Sequence, residues 1–469
     1  MNTADFIKKI QNREIDVIKN TEKAIDEIKK INKDHNYFNT ISENFALDQA
    51  KVVGKRPHGR LAGLTVSIKD CICVDGVEST AGSKILKGYN PVFNATVVEK
   101  IIREGAIIVG KTSQDEFGFG GFSINTGVDF KIPLNPFDKE RSCGGSSGGS
   151  GGITQKASFP HISLGESTGG SIVNPASFCG VVGLCPTYGR VSRYGLIDYA
   201  NSLDKIGPMA KNVYDAALML EIISGHDPKD STTISKAVEK YTDAVGKDCD
   251  GMKIGIIKDS FGEGTDKEVK NKVMDAVKKL EKNNVKYEEV SLPITYKYGI
   301  ACYYLIAMSE SSTNLAKYCG MRYGKHEKLE GNFNEYFSKV RSLNFGPEAK
   351  RRIILGTFAR MAGYRDAYYI KAMKVRTKVI DEYKKLFKKY DALISPTMPI
   401  TAPKIKEIEK LTPLQNYMMD IMTVGPNLAG LPHISIPVRF KGNMPIGMMI
   451  IGDHLEESKI IQLGSAVEK

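Results

Sequence analysis

The sequence predicts an α/β fold, because short apolar segments that fit buried strands alternate with amphipathic segments that fit helices. The apolar run LTVSI, at residues 64–68, lies between Gly63 and Lys69 and is typical of a buried strand. The amphipathic stretch 95–105 follows it, and a second apolar run, AIIVG, comes next. The same order of strand, helix and strand returns after residue 250, so the pattern extends over most of the chain.

Taken in order, the elements begin with an N-terminal helical arm, residues 1–55, in which apolar side chains at helical spacing predict two amphipathic helices. The remaining residues, 56–469, are predicted to form one domain, since no clear boundary interrupts them. Residues 300–390 are predicted to be mostly helical. Further strands are predicted at HISLG, MKIGIIKD, VKYEEVSL, DALISPTMP, HISIPV and GMMIIG.

The composition is that of a globular protein. Of 469 residues, 41% are hydrophobic and 26% are charged, and no apolar run approaches the length of a membrane span. The N-terminal segment lacks the apolar centre of a signal peptide, so we expect a cytoplasmic protein without membrane contact. The net charge of +12 admits an anionic partner such as RNA, but the lysines are spread along helical faces and are better explained as solvated surface.

The eight cysteines indicate neither a disulfide framework nor a metal site. They are scattered through a long chain, so we expect reduced thiols. Cys71 and Cys73 lie close together, but without a second pair or nearby histidines we expect no metal there.

The glycine-rich stretch from Cys143 to Ser171 is the strongest candidate for a functional site. It places Ser146 in GGSSGG and Ser171 in TGGS, where glycine allows turns that present a hydroxyl and several N–H groups to one point. Alternating serine and glycine are also typical of a flexible linker. A linker does not explain why the second cluster follows a strand-like run and precedes another apolar run, so we favour two structured turns.

One segment matches a nucleotide-binding sequence pattern but does not fit the structure that this pattern requires. Residues 105–112, GAIIVGKT, satisfy the pattern GxxxxGK followed by Ser or Thr. A phosphate-binding loop must follow its strand, whereas here Ala106–Val109 are themselves the apolar strand, and Lys111 and Thr112 are predicted to begin the next loop. We therefore predict no nucleotide site at this position.

A serine nucleophile needs a base, and the sequence offers a lysine for that role. None of the seven histidines lies in the sequence context of a Ser-His-Asp triad, so we interpret them as surface or structural residues. A buried lysine can act as a base when its surroundings favour the neutral amine. Lys69, at the end of its predicted strand, is the candidate.

These segments resemble the amidase signature family, and the resemblance covers the chain from about residue 60 onward. It rests on GLTVSIKD around Lys69, GGSSGG around Ser146, TGGS at Ser171 and the FCGVVGLCPTYGRVSRYG that follows. The resemblance implies an α/β fold with a mixed central β-sheet covered by helices on both faces. It also implies a Ser-cisSer-Lys triad, in which Lys69 draws a proton from Ser146, Ser146 draws one from Ser171, and Ser171 attacks a carboxamide carbon.

Three residues precede the nucleophile of this expected triad, namely Thr168, Gly169 and Gly170. By resemblance, their backbone N–H groups, with that of Ser171, hold the developing oxyanion, which is typically worth roughly a few kcal/mol per donor. Ammonia then leaves, and water releases the acid from the acyl-enzyme.

Within the family, the sequence is most similar to the glutaminase subunits of tRNA-dependent amidotransferases. The evidence is longer agreement, for example in KRRIILGTFA and PNLAGLPHISIP. Such a subunit hydrolyses glutamine, and the resemblance assigns the substrate's α-carboxylate to Arg352 and its α-ammonium to Asp420. A bidentate guanidinium and a carboxylate suit these two groups.

The resemblance also implies partners. The ammonia would pass to a B subunit that converts Glu-tRNA(Gln) to Gln-tRNA(Gln), or that serves Asp-tRNA(Asn), and a small C-type subunit would complete the complex. ATP, magnesium and most tRNA contacts are expected in the B subunit, so we expect no cofactor or metal in this chain. Two alternatives stay open: a free-standing amidase acting on another carboxamide, and a catalytically impaired scaffold subunit.

Three positions depart from the usual pattern of the family. Ser167 and Val173 stand where an aspartate and an arginine are usual, and Glu166 stands where a small hydroxyl residue is common. If the two charged residues normally pair, their joint loss leaves no buried charge alone. Because the usual charged pair is missing, we ask of the structure what else keeps the oxyanion loop rigid.

Overall fold

The centre of the protein is an eleven-stranded β-sheet, seen in a computed structural model that describes residues 1–468 apart from the side chain of Arg439. In chain order its strands are β1 (Phe38–Ile41), β2 (Thr65–Lys69), β3 (Ile107–Thr112), β4 (His161–Ser167), β5 (Val182–Cys185), β6 (Lys205–Ala210), β7 (Lys253–Ile257), β8 (Lys286–Val290), β9 (Ala392–Pro396), β10 (His433–Lys441) and β11 (Met444–Ile451). Their spatial order is β1-β3-β2-β4-β6-β5-β10-β11-β9-β7-β8.

The sheet is mixed. Strand β2 is parallel to β3 and β4, and β7 is parallel to β8 and β9, whereas β4 and β6, β5 and β10, and β10 and β11 pair antiparallel. Helices flank this sheet, so the α/β class and the mixed sheet are confirmed. Among the described residues, no helix has both the length and the apolar content needed to cross a membrane.

Sixteen α-helices occur in the described part of the chain, together with several single-turn elements. The α-helices are α1 (Thr3–Gln11), α2 (Val17–His35), α3 (Glu43–Lys55), α4 (Thr96–Arg103), α5 (Gly148–Lys156), α6 (Val173–Cys179), α7 (Val213–Ile223), α8 (Lys267–Lys282), α9 (Pro293–Asn314), α10 (Phe333–Asn344), α11 (Pro347–Arg360), α12 (Lys371–Phe387), α13 (Ile405–Ile408), α14 (Pro413–Met418), α15 (Val424–Leu428) and α16 (Glu457–Glu468). The 3-10 helices are Lys84–Leu86, Glu116–Gly118, Tyr241–Ala244, Lys258–Phe261 and Leu315–Lys317, and a short π-helix spans Asp366–Ile370.

The N-terminal arm contains more than the two predicted helices. It forms α1, α2, strand β1 and α3, and β1 pairs with β3 at one edge of the sheet. The extra strand was missed because a four-residue edge strand has too few residues for an alternating pattern. Phe6, Ile10 and Ile28, in the arm, belong to the same apolar core as the sheet. The boundary of the arm at residue 55 stays a prediction.

Parallel pairing brings the candidate residues to one edge of the sheet. Strands β2 and β4 lie side by side and parallel, with Ile68 opposite Leu164, so both strands end at the same edge of the sheet. Lys69 is the last residue of β2, and the TGGS turn follows β4 directly. All residues of both strands are buried, as expected for strands covered on both faces. The site therefore lies where two buried strands stop.

The glycine-rich stretch from Cys143 to Ser171 contains helix α5, strand β4 and two turns, and the linker interpretation is wrong. Residues Gly148–Lys156 form α5, and its first seven residues are buried. A methyl group at Gly149 would come within 2.5 Å of the carbonyl oxygen of Tyr37, and one at Gly152 would overlap the ring of Tyr37. Glycine occurs here because other chain segments approach closely, not because the segment is flexible.

Candidate active site

Lys69 and Ser146 are in direct contact. The Nζ atom of Lys69 donates a 2.7 Å hydrogen bond to Oγ of Ser146, and both residues are fully buried. A buried amine that contacts a serine hydroxyl is the arrangement that a lysine base requires. The structure therefore brings together two residues that lie 77 positions apart in the sequence.

The turn that carries Ser146 rests on a buried carboxylate. The peptide bond between Gly145 and Ser146 is cis. The N–H of Asp115 donates to the carbonyl oxygen of Ser146 at 3.2 Å, and the Asp115 carboxylate accepts hydrogen bonds from the N–H groups of Ser123 and Asn125. Burial raises the pKa of Asp115 to about 6. A side chain at Gly145 would overlap this carboxylate, so the turn requires glycine.

Ser171 lies on the second turn, next to the first. The N–H of Ser147 donates to the carbonyl oxygen of Ser171 at 3.2 Å, which joins the two turns through their backbones. Among the described residues, the Ser171 hydroxyl has no hydrogen-bond partner, and the residue is 6% exposed, more than Lys69 or Ser146. A buried but reachable hydroxyl without a fixed partner is available to a substrate.

The backbone before Ser171 has the features of an oxyanion-binding loop. Within the described residues, the N–H groups of Gly169, Gly170 and Ser171 donate to no backbone or side-chain acceptor. Buried N–H groups almost always have a partner, so free ones beside the unpaired Ser171 hydroxyl are suited to bind a ligand atom.

The two glycines of this loop are required by their neighbours. A methyl group at Gly169 would lie 2.7 Å from the ring of Tyr303, and one at Gly170 would overlap Asn174 and Thr423. The side chain of Asn427 also donates to the carbonyl oxygen of Gly169. The loop is therefore held from two sides.

The loop keeps further anchors although the usual charged pair is absent. Ser167 and Val173 are both fully buried and uncharged, so no lone charge remains at these positions. Thr168 lies within hydrogen-bonding distance of two carboxyl groups, at 2.9 Å from Glu166 and 2.8 Å from Asp204. Glu166 turns toward Lys69 and forms an ion pair with it at 2.8 Å.

Arg352 lies in a box of aromatic rings. It is on α11 and 2% exposed, and its guanidinium is 5.2 to 5.7 Å from the ring centres of four aromatic residues. Its Nε donates to Glu348 at 2.8 Å, and its Nη1 donates to the hydroxyl of Tyr199 at 2.5 Å. These contacts fix the plane of the guanidinium, and its Nη2 has no hydrogen-bond partner among the described residues, so it can donate to a carboxylate. The four aromatic residues are Phe119, Tyr199, Tyr304 and Tyr417.

Asp420 lies on the other side of Tyr304. It is 6% exposed, and its carboxylate accepts hydrogen bonds from the Tyr304 hydroxyl at 2.6 Å and from the Asn174 amide at 3.0 Å. Burial raises its pKa above the ordinary value. The side-chain carbonyl oxygen of Asn174 is buried without a hydrogen-bond partner among the described residues. It is therefore a free acceptor next to the Asp420 carboxylate.

Tyr199 and Gly118 connect this pair to the triad. Tyr199 bonds to Arg352, and a methyl group placed on Gly118 would lie 3.5 to 3.6 Å from Tyr199, Ser146 and Glu166. A cavity of about 160 Å³ opens beside Arg352 and Tyr304 and has room for a ligand of amino-acid size. All eight candidate residues predicted from the sequence therefore lie in one region, although their roles stay predictions.

Lys111, in the rejected nucleotide pattern, is a structural residue. Strand β3 continues through Lys111 and Thr112, so the predicted start of a loop at these residues is wrong. The Lys111 ammonium is fully buried, donates to Ser79 at 2.6 Å and lies 3.7 Å from the carboxylate of Asp70. It has no access to a phosphate group.

Sequence reasoning missed several residues of this site. Tyr304 lies in a segment predicted to be helical and Tyr199 in a segment without a predicted element, and the spacing of neither residue indicated a role in the site. Asn174 and Asp115 were close to the motifs but had no obvious role. Glu348 was the one member with a local signal, because it lies one helical turn before Arg352.

This fold and this arrangement of a lysine with two glycine-turn serines are those of the amidase class of enzymes. The family model described as Amidase matches residues 19–461, so the chain belongs to the amidase family.

Curated relatives of the chain, and one of the solved structures that it resembles, are A subunits of glutamyl-tRNA(Gln) amidotransferases. The chain is 47% identical to that of Methanosarcina mazei over 471 residues, which cover 100% of this chain and 96% of that protein. It is 47% identical to that of Methanococcoides burtonii over 431 residues, covering 92% and 89%. The crystal structure of the Thermotoga maritima protein superposes with a TM-score of 0.81 at 39% identity, covering 96% of this chain and 90% of that one.

Proposed function

We propose that this chain is the glutaminase subunit of a tRNA-dependent amidotransferase. It hydrolyses glutamine through Lys69, Ser146 and Ser171 and supplies ammonia for the conversion of Glu-tRNA(Gln) to Gln-tRNA(Gln). The observation that carries the proposal is the 2.7 Å contact between Lys69 and Ser146, in the same region as the buried guanidinium of Arg352 and the buried carboxylate of Asp420. The similarity to the A subunits of glutamyl-tRNA(Gln) amidotransferases supports it.

The reaction begins with the transfer of two protons. Neutral Lys69 takes a proton from Ser146, and Ser146 takes one from Ser171, whose oxygen attacks the side-chain carboxamide of glutamine. The free N–H groups of Gly169, Gly170 and Ser171, together with that of Thr168, bind the oxyanion. Ammonia leaves with a returned proton, and water releases glutamate from Ser171.

The substrate is held by its two charged α-groups. The free edge of the Arg352 guanidinium binds the α-carboxylate, and the Asp420 carboxylate binds the α-ammonium. Asp420 must be ionised for this purpose. Because burial raises its pKa, affinity for glutamine declines on acidification sooner than an exposed aspartate would allow.

The other components of the reaction belong to partner subunits. ATP and magnesium are bound by a B subunit, which also makes most contacts with the tRNA, and a small C-type subunit completes the complex. This chain itself needs neither cofactor nor metal, and it works in the cytoplasm. The tRNA served is Glu-tRNA(Gln), with Asp-tRNA(Asn) as the second possible substrate of the complex.

The test separates the glutaminase from the rest of the complex. Ser171→Ala should abolish amidation that depends on glutamine and preserve amidation supplied with free ammonium. The readout is the amount of amidated aminoacyl-tRNA formed by the complex under each condition. Intact use of glutamine by Ser171→Ala would refute the triad, and a wild-type chain inactive on glutamine with and without its partners would refute the proposed function.

A further inference from the structure

A carboxylate lies directly beside the lysine of the triad. The Oε2 atom of Glu166 is 2.8 Å from Nζ of Lys69, and the backbone oxygen of Glu166 is 2.9 Å from it. Together with Oγ of Ser146, these atoms give Nζ three acceptors, as many as an ammonium has N–H donors. The side chains of Lys69 and Glu166 are 0% and 3% exposed, so water does not weaken their attraction.

The hydrogen bonds continue from Glu166 to a second carboxyl group. The Thr168 hydroxyl lies 2.9 Å from Oε1 of Glu166 and 2.8 Å from Oδ1 of Asp204. One hydroxyl has a single proton and cannot donate to two carboxylates, so one of the two carboxyl groups must itself carry a proton. Burial, followed by the charge of Glu166, raises the pKa of Asp204 well above its ordinary value. The ion pair with Lys69 favours the negative charge on Glu166, so we assign the shared proton to Asp204.

The other ionisable groups around this pair are neutral or lie out of contact with Lys69. Burial raises the pKa of the thiols of Cys71 and Cys185, so both are neutral at neutral pH. Asp115, under the Ser146 turn, accepts two backbone N–H groups, and Asp198 faces Asp204 from the preceding loop. Glu166 is the carboxylate in hydrogen-bonding contact with Lys69, and the described residues show no second one at that distance.

We propose that Glu166 is a positioning residue that holds a proton on Lys69, so that glutamine hydrolysis by this chain requires a higher pH than the same site would without this carboxylate. The inference rests on the proposed glutaminase function. It concerns a residue that differs from the small hydroxyl usual at this position, so it describes a property of this chain in particular.

The direction of the effect follows from charge. Lys69 must lose its proton before it can accept one from Ser146. A carboxylate in contact stabilises the ammonium, whereas burial alone favours the neutral amine. Removing the charge of Glu166 therefore makes the base available at lower pH, and the acidic limb of the pH profile moves down.

The experiment compares three variants by the pH dependence of kcat/KM for glutamine hydrolysis, measured on the full chain together with the subunits that co-purify with it. Glu166→Gln keeps the size and the hydrogen-bonding oxygen but removes the charge, and Glu166→Ser introduces the small hydroxyl. Both should shift the acidic limb downward by about one to three pH units. Asp204→Asn, which replaces a neutral group by another, should leave the limb within about half a unit of the wild type.

Two outcomes would overturn the inference. If the Glu166 variants and the wild type have acidic limbs at the same pH and differ only in plateau height, Glu166 has a structural role alone. If Asp204→Asn moves the limb as far as Glu166→Gln, the negative charge resides on Asp204 instead.

A second readout does not depend on glutamine. A sulfonyl fluoride labels an activated serine, and intact-mass spectrometry gives the rate of labelling of Ser171 as a function of pH. The same downward shift is expected in both Glu166 variants, and an unchanged profile contradicts the inference even if glutamine proves not to be the substrate. Ser171→Ala serves as the unlabelled control.

Discussion

The Tyr304 hydroxyl donates a 2.6 Å hydrogen bond to the carboxylate of Asp420, while the ring of the same tyrosine lies 5.2 Å from the guanidinium of Arg352. One side chain of α9 thus contacts both residues assigned to the two charged ends of the substrate. Arg352 and Asp420 come from distant segments, α11 and the turn after α14, and Tyr304 contacts both of them. The geometry of the pocket therefore depends on a residue that carries no charge itself.

Tyr304→Phe should weaken the binding of glutamine without removing the triad. A hydrogen bond to a charged group contributes about 1.5–3 kcal/mol, so KM should rise about 10-fold to 100-fold, with a smaller change in kcat. Steady-state kinetics of glutamine hydrolysis measure both constants. Tyr323→Phe, at an exposed tyrosine, is the matched control. Equal KM values for Tyr304→Phe and the wild type would contradict the assignment of Asp420 to the α-ammonium.

Arg352→Lys should reduce kcat/KM for glutamine by about 100-fold, because a lysine cannot reproduce a planar guanidinium that bonds to Glu348 and Tyr199 and still offers a second edge. The neighbouring Arg351 has a side chain 42% exposed, and Arg351→Lys should stay within about two-fold of the wild type. Comparable losses in the two variants would indicate a general disturbance of α11 rather than loss of the carboxylate site.

Lys69→Ala and Ser146→Ala should each lower kcat by about 10³-fold or more, because each interrupts the same path of proton transfer. The double variant should have a kcat within about three-fold of the less active single variant, since residues that act as a unit are not additive. Ser342→Ala, at an exposed serine, controls for loss of a hydroxyl elsewhere. Additive losses in the double variant would show that the two residues act independently.

Gly169→Ala should lower kcat by about 100-fold, because the added methyl group would lie 2.7 Å from the ring of Tyr303 and would displace the oxyanion loop. Gly54→Ala is the control, since its methyl group would meet only ordinary contacts at 3.9 Å. The two variants are compared by glutamine turnover and by thermal unfolding. Full turnover by Gly169→Ala would exclude this loop as the oxyanion site.

Glu116→Gln should change the pH dependence of stability. Glu116 is buried, and burial raises its pKa from 4.5 to about 7. Between these values the folded protein binds more protons than the unfolded chain, so the wild type loses stability as the pH rises through about 7.

The variant lacks this titration, so its free energy of unfolding relative to the wild type should rise by up to about 3 kcal/mol between about pH 5 and pH 8. Denaturant titrations at both pH values measure the difference. The exposed residue Glu22 offers the control, and Glu22→Gln should show no such trend. If the difference in unfolding free energy between Glu116→Gln and the wild type did not vary with pH, Glu116 would not be the group that titrates in this range.

The sequence predicted eight of the eleven described strands, because buried strands such as β2 and β4 are short apolar runs with clear ends, but it did not predict β5 and β6 in the middle of the sheet. It predicted the long amphipathic helix α8 for the same kind of reason. It did not predict β1, which is a four-residue edge strand, or α5, because GGSGGITQK lacks an apolar stripe and glycine disfavours helix. Helix α5 forms because its glycines pack closely against Tyr37, and no local sequence pattern indicates that contact.

By itself, the sequence determined the chemical groups of the site, since Lys69, Ser146 and Ser171 lie in motifs that can be read directly. The tertiary structure alone decided their contacts, because Lys69 and Ser146 are 77 residues apart and meet only through the pairing of β2 with β4 and the turn before α5. It also decided that Glu166 points at Lys69. A side chain on a strand has no partner until neighbouring strands set its register, and the charge beside the base follows from that register.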